Sequence, residues 1–455
     1  MAMVVKNNLG AVRTVNTLNK NSKAQSKSLA KTSSGMKINS ADDDASGYSI
    51  SERMRVRIRA LDQANQNAQN DAALMKTAGG AVDNTVEILR ALKEKAIDAA
   101  NDSNTDEDRL IIQKEAHQLI DQINDNALVQ FNGKYLINGT KNNALVSTKT
   151  IMVNQEVAIV IPGAVTTNLT KRDGSALGIH NSDIWQLSWT TNGKTNSATG
   201  IVSETGNSIA QMFLTANLGQ TAALVPIMPN DGKLDLYETY EWAGNHASYR
   251  NLIKDKFGQD VYVEDKSYGG MAIFAAYAGV DKQLDGFTIT ITDDKGNERK
   301  DVNAALKFNL FQRAENATGD NSLTFQIGSE ANVAIKVALS DMRAHSLGLE
   351  GTQGEKLLFC PKENANAAIS VIESALTTSL DQSTSIGAVQ QRLEYTQTNL
   401  TTSSENVQAA ESTIRDADMA KEMTEFTKNN VLMQAAQAML AQANQSSSSV
   451  ISLLQ

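Results

Sequence analysis

A chain of 455 residues, 41% hydrophobic but only 5% aromatic, is long enough for about three domains, with Ala, Leu, Ile and Val supplying most of its apolar mass. A net charge of −9 excludes the basic footprint of a general nucleic-acid binder. No apolar run reaches the roughly 18 residues of a membrane span, and a lone cysteine, Cys360, excludes an internal disulfide.

No charged-then-apolar leader opens the chain, because Lys6 and Asn7–Asn8 interrupt its apolar start. Val5, Leu9, Val12 and Leu18 mark an amphipathic helix within residues 1–32. Asn, Ser and Thr crowd this stretch, so packing must supply its stability. Ser33–Ser34–Gly35 is a breaker, and Asp42–Asp43–Asp44 then precede the next helix, where carboxylates cap free amides and complement the dipole. Three successive carboxylates cannot converge on one ion, so capping is preferred to metal binding.

From about Asp44 to Ala78, Met54, Leu61, Ala68 and Met75 stand seven apart. Alternate arginines (Arg53, Arg55, Arg57, Arg59) spread around this helix and read as surface and inter-subunit salt-bridge partners. Gly79–Gly80 is expected to interrupt it, with a further helix carrying Val82, Val86, Leu89 and Ala96. Thr105–Asp106–Glu107–Asp108 is a capping box. It opens a helix with Ile112, Ala116, Leu119 and Ile123 on one face, and Phe131–Asn132–Gly133 ends the helical region.

The period then changes. Ile151, Val153, Val157, Ile159 and Ile161 are strand-like and end at Pro162–Gly163. Trp185–Trp189 before Asn192–Gly193 reads as a hairpin. Val261–Val263 and Phe287–Ile291 add strands, and all three tryptophans, Trp242 included, lie in this part. Residues 165–315 are therefore expected to be a separate, mostly β domain. Leu323, Phe325 and Ile327, then Gly328–Ser329, then Val333, Ile335 and Val337 form a second hairpin.

From Asn364 the heptad returns and dominates. Ile372, Ser379, Ile386, Leu393, Leu400, Val407 and Ile414 keep one seven-residue register. That spacing stays on one face only if partner helices supercoil. The register jumps at Arg415–Asp418 and restarts as Met419, Phe426, Met433 and Leu440, which marks a bend or a change of partner. None of the four prolines (162, 226, 229 and 361) interrupts the seams. The fold class is α+β and multidomain: long coiled-coil termini, a helical rod with a β-hairpin, and a mostly β outer domain.

Chemistry is hard to find. The four histidines are scattered, and neither a zinc-hydrolase helix motif nor a nucleophile elbow occurs. Gly193–Lys194–Thr195 lacks the glycine of a phosphate loop, since Ser188 stands there, and a hairpin turn explains it better. Cys360 reads as an unreactive, half-buried thiol. The expectation is no enzyme, no cofactor and no metal.

Ser33–Ser34–Gly35–Met36–Lys37–Ile38–Asn39–Ser40–Ala41, with Asp43–Asp44–Ala45–Ser46–Gly47, resembles the N-terminal signature of bacterial flagellins. Gln130–Phe131–Asn132–Gly133 is similar to a turn of their shared domain. Ile414–Arg415–Asp416–Ala417–Asp418–Met419–Ala420, Leu440–Ala441–Gln442–Ala443–Asn444–Gln445 and the final Leu453–Leu454–Gln455 resemble their C-terminus. The match covers about residues 1–145 and 320–455, and the middle resembles nothing that can be named.

The resemblance implies a structural subunit of the bacterial flagellar filament, secreted unfolded through the flagellar export apparatus with a chaperone and polymerised outside the cell for motility. It implies a homopolymer, with neither nucleic acid nor membrane as partner. Residues 1–42 and 415–455 would form the coiled-coil inner tube, with Val5, Leu9, Val12, Leu18, Met419, Phe426, Met433 and Leu440 as polymerisation seam. Residues 43–164 and 316–414 would form the rod, with Met54, Leu61, Met75, Ile386, Leu393, Leu400, Val407 and Ile414 as its seam. The alternatives are a hook–filament junction protein, or a filament-displayed enzyme with its site in 165–315. The family is read by Toll-like receptor five through an Arg, a Leu four residues on, and a Glu in the next helix. Here Ala91 and Lys95 take the first two places and Glu115 keeps the third; a slip of one residue would put Arg90 at the Arg position. The resemblance therefore implies weak recognition.

Overall fold

The computed structural model describes residues 9–154, 156–158, 166–202, 212, 222–226, 228–230, 233–235, 237–238, 251–252, 254–259, 262–263 and 271–453. Val5, Ile159, Ile161, Pro162–Gly163, Trp242, Val261, Leu454 and Gln455 lie outside these residues. The helices are α1 (Leu9–Ser34), α2 (Ala45–Ala99), α3 (Asp106–Ala127), the short α4 (Lys300–Ala305), α5 (Lys362–Arg415) and α6 (Met419–Leu453). Two compact units result. One is residues 1–70, 326–334 and 393–455; the other is residues 71–325 and 335–392.

Helix α2 corrects one expectation, for it runs through Gly79–Gly80 unbroken for 55 residues. The seven-residue row therefore continues from Met75 into Val82, Leu89 and Ala96, all fully buried. A Cβ on Gly79 would stand 3.3 Å from both Ile386 and Gln390 of α5, so this glycine serves close helix packing. Of the expected rod seam, Leu61, Met75, Ile386, Leu393 and Leu400 are buried, while Met54, Val407 and Ile414 are half-buried. In the first unit Leu61, Ala64, Ala68 and Leu400 form one cluster, with Ile327 and Val407 packed against it.

Helix starts follow the expected chemistry. Thr105 accepts from the Asp108 amide at 3.3 Å and the Asp108 carboxylate accepts from the Thr105 amide at 3.0 Å, closing the capping box on α3. Asp44 accepts from the Ser46 amide at the head of α2. Asp43 instead accepts from Asn39 and pairs with Lys27 of α1 at 2.7 Å. The Lys27 ammonium holds the Asp43 carboxyl below its ordinary range. On α3 the buried row is Ala116, Ile120, Ile123 and Ala127, with Ile112 and Leu119 only half-buried at its edge.

The strands are β1 (Gln130–Phe131), β2 (Lys134–Tyr135), β3 (Ile151–Asn154), β4 (Ile184–Thr191), β5 (Lys194–Ile201), β6 (Ala222–Pro226), β7 (Met228–Asn230), β8 (Lys233–Asp235), β9 (Tyr237–Glu238), β10 (Asn251–Leu252), β11 (Tyr262–Val263), β12 (Met271–Ala275), β13 (Leu284–Thr292), β14 (Asn309–Gln312), β15 (Leu323–Gln326) and β16 (Ala334–Val337). Two antiparallel sheets, ordered β14-β3-β12-β6 and β13-β4-β5, share one core containing Met152, Trp185, Leu187, Ile273, Phe287 and Phe308. Phe287 meets Phe308 edge to face at 5.3 Å. Asn192 and Gly193 both have positive φ (53° and 73°), the two-residue turn that matches strand twist.

The middle block does not start at residue 165. Strand β3 pairs with β12 and β14, so residues 151–154 belong with the later strands. The block closes at a two-way backbone bridge, where the Leu145 and Thr318 amides each donate to the other's carbonyl at 3.0 and 3.1 Å. Nor does it stand clear of the helices. Gly286, at φ 63°, comes so close to Ala367 and Val371 of α5 that a Cβ would collide, and Arg313 donates to Thr378 at 2.9 Å.

Candidate functional site

Helices α1 and α6 lie antiparallel against each other in the first unit. Asn21 donates to the Leu432 carbonyl at 3.1 Å, Asn429 donates to the Ser28 hydroxyl at 3.1 Å, and Lys31 approaches Glu422 at 3.9 Å. The residues that lose exposure recur at alternating three- and four-residue steps. They are Ala11, Thr14, Leu18, Asn21, Gln25 and Ser28 on α1, and Glu422, Phe426, Asn429, Met433, Ala436 and Leu440 on α6. This is coiled-coil spacing, but the α1 half of the contact is mostly small and polar.

Many of the larger apolar side chains point elsewhere. Leu9 is 65% exposed, and Val12, Val15 and Leu29 accompany it on α1; Met419, Met423, Val431, Leu432 and Met439 are exposed on α6. Of the expected polymerisation seam, Leu18, Phe426, Met433 and Leu440 thus face the pair, whereas Leu9, Val12 and Met419 face outward. Met423, Val431 and Leu432 also line a shallow, mainly apolar groove with Thr424, Thr427 and Lys428. Isolated exposed apolar residues are ordinary, but a contiguous set marks a contact surface.

The break between α5 and α6 is more built than the register jump implies. Met36 and Asp416 form an antiparallel bridge, and the Arg415 guanidinium lies buried between Glu52, Tyr48 and Met36. Sequence reasoning did not single out this cluster. Its signal is a lone arginine closing an apolar seam.

Residues 5–142 match the bacterial flagellin N-terminal helical region, and residues 369–454 match the bacterial flagellin C-terminal helical region. The flagellin of Clostridium tyrobutyricum is 32% identical over 444 residues, covering 97% of this chain and 99% of that protein. The chain belongs to the bacterial flagellin family. Flagellin of Bacillus subtilis is 29% identical, covering 99% of this chain and all of that protein, and flagellin B of Vibrio anguillarum is 28% identical with both chains covered completely. These alignments cover this chain almost end to end. Among solved structures, flagellar hook-associated protein 3 of Legionella pneumophila is 15% identical, covering 79% of this chain and 97% of that one, with a TM-score of 0.31. FliC of Burkholderia pseudomallei is 14% identical, covering 70% and 99%, with a TM-score of 0.24. Likenesses this weak decide nothing.

As a flagellin, the chain is a structural subunit of the extracellular flagellar filament. Among the described residues no helix is long and apolar enough to cross a membrane, and no group of three His, Cys, Asp or Glu side chains could hold a metal. Cys360 is half-buried, with its thiol pushed up by burial first and by Asp106 second.

The receptor-facing candidates lie in the second unit. Arg90 pairs with Glu87 one turn back at 2.5 Å, and Ala91 is half-buried. Lys95 of α2 reaches Glu115 of α3 at 2.8 Å, and that hydrogen bond raises the lysine's pKa. The position expected to carry a leucine therefore carries a charge that occupies the acidic residue.

Proposed function

We propose that the outward apolar faces of α1 and α6 are the polymerisation surface, covered in the filament by neighbouring copies of the chain. The observation that carries this is the division of labour on the helix pair. Polar and small residues sit largely inside on α1, and nine large apolar residues sit outside on the two helices. Full burial of one such side chain contributes roughly 1.5–3 kcal/mol. The inward contact alone is a poor match for the 1–2 kcal/mol or so that ordering each backbone residue costs. The pair thus depends on other copies for its stability. Residues 1–42 and 415–455 act as the inner tube, the flanking helices as the rod, and the block closed at Leu145 and Thr318 as the projecting part. Successive copies meet head to tail in contacts that do not close, giving an open helix.

The same marginal stability suits export. Terminal segments that do not hold themselves folded can thread the flagellar export apparatus, and a chaperone can shield the apolar faces of α6 beforehand. Recognition by Toll-like receptor five is weak in this reading. Ala91 supplies no arginine anchor, of the kind whose loss from an interface commonly costs about 2 kcal/mol or more, and Lys95 holds Glu115.

Deleting residues 419–455 tests the assembly surface. The shortened chain is expected to keep the fluorescence of its buried Trp185 and Trp189 and to stay monomeric where the full chain forms filaments. Filaments of ordinary length from the shortened chain would refute the assignment.

A further inference from the structure

Both chain connections in the first unit cross at one level. The segment leaving α1 and the segment leaving α5 pair there as a minimal β-bridge. The Lys37 amide donates to the Arg415 carbonyl at 2.7 Å and the Ala417 amide to the Gly35 carbonyl at 2.9 Å. Onto this bridge the Arg415 side chain folds back, only 6% exposed. Its Nη1 donates to Glu52 Oε1 at 2.6 Å, its Nε faces Met36 Sδ at 3.2 Å, and its guanidinium carbon lies 5.6 Å from the Tyr48 ring centroid. One residue thus ties together the last turn of α5, the connection out of α1 and the first two turns of α2.

We propose that Arg415 is a latch that makes the ordering of α1 and α6 a single event. The proposal rests on the reading of this helix pair as the polymerisation surface. Met36 and Arg415 are 379 positions apart in sequence; packing of α2 on α5 brings the two connections near each other, but without a fixed base it leaves the register of the two terminal helices open. An isolated helix with so polar a face is unstable in water. With the base closed, pairing α1 and α6 becomes a local event resembling the zipping of a hairpin. The interior of the pair offers few large apolar contacts, so the base has to supply the registration that the interface cannot.

The residue type fits the role. A guanidinium is planar, always charged and can address a carboxylate, a thioether and an aromatic face from different edges at once; an ammonium is a point charge and cannot. Glu52 is the matched partner, since the Arg415 hydrogen bond holds its carboxyl below the ordinary range. Arg55 also approaches Glu52, at 3.5 Å, but from more exposed positions. Arg415 is a positioning residue, acting on the polymerising faces through the bridge without touching them.

The test compares the full chain with Arg415→Gln, Arg415→Lys, Glu52→Gln and the double variant Arg415→Gln with Glu52→Gln. Two quantities are measured: the critical concentration for seeded polymerisation, and amide exchange within assembled filaments. The unsubstituted chain should assemble; if it does not, the assembly-surface reading fails. Given assembly, Arg415→Gln is expected to raise the critical concentration at least tenfold. It should also speed exchange across both α1 and α6, although neither helix carries the substitution. Arg415→Lys should not restore assembly, and the double variant should be no worse than Arg415→Gln. Unchanged critical concentration for Arg415→Gln overturns the latch. So does faster exchange confined to α2 and α5, which a merely local stabilising contact would give. If Arg415→Gln loses its tryptophan fluorescence and so fails to fold, Arg415→Lys decides: equality with the unsubstituted chain overturns the proposal, and a raised critical concentration supports it.

Discussion

Replacing Gly80 by alanine separates two views of α2. On the glycine pair alone, Gly79–Gly80 is a break between helices; in the structure both residues are helical, and Gly80 is exposed with nothing within 4 Å of where a Cβ would stand. A glycine inside a helix costs about 0.8–1 kcal/mol relative to alanine. With free space at Gly80, that whole amount should appear as added stability. Gly79 is the contrast. Its Cβ would come 3.3 Å from Ile386 Cγ2 and Gln390 Nε2, tighter than ordinary contact, so both neighbours must yield by a few tenths of an ångström. Gly79→Ala should therefore gain little or nothing, and Gly79→Leu should cost roughly 1–3 kcal/mol through overpacking. Native-state amide exchange over residues 76–86 measures this where it happens. Gly80→Ala should slow exchange about four- to fivefold, the equivalent of about 0.9 kcal/mol. Unchanged or faster exchange in Gly80→Ala would mean that the helix breaks at the glycine pair, and the continuity argued above would be wrong.

Asp285 is buried with both carboxylate oxygens unpaired, and burial pushes its pKa up against the opposing pull of Arg313. A carboxyl whose folded pKa is raised binds its proton more tightly folded than unfolded. Its contribution is fully present below the unfolded value of about 3.9 and is lost as pH rises through the folded one. Asp285→Asn removes this titration and is therefore expected to flatten the loss of stability with rising pH; tryptophan-monitored urea unfolding across a pH series would show it, and an unaltered pH slope would refute it. Joining Leu145 to Thr318 and omitting the residues between should leave thinner filaments in electron micrographs, whereas omitting only 165–315 strips β3 of its partners and should give aggregates. A chain joined at 145 and 318 that stays monomeric would assign subunit contacts to the middle block. Ala91→Arg with Lys95→Leu should raise Toll-like receptor five signalling above that of the unmodified monomer in a reporter-cell titration, and full potency of the unmodified monomer would defeat the reading.

Features that depend on neighbours in sequence could be read directly. The row Ile372, Ser379, Ile386, Leu393 and Leu400 is buried along α5 because heptad spacing places those residues on one stripe whatever lies opposite. The Thr105–Asp108 capping box and the Asn192–Gly193 turn are equally local, each closed within four residues. The break after Arg415 was visible as a jump in register. Other features needed the tertiary structure because their partners are remote. Gly79 is helical because α5 comes close, against the local preference of two adjacent glycines. Strand β3 joins the middle sheet through strands more than a hundred residues later, a pairing that alternation of apolar residues cannot specify. Which face of α1 turns inward was decided by α6, whose Asn429 donates to Ser28 and whose Leu432 carbonyl accepts from Asn21. Asp285 carries no local sign of burial; it is buried in the structure, and its neighbour Gly286 packs against Ala367 and Val371 from far along the chain.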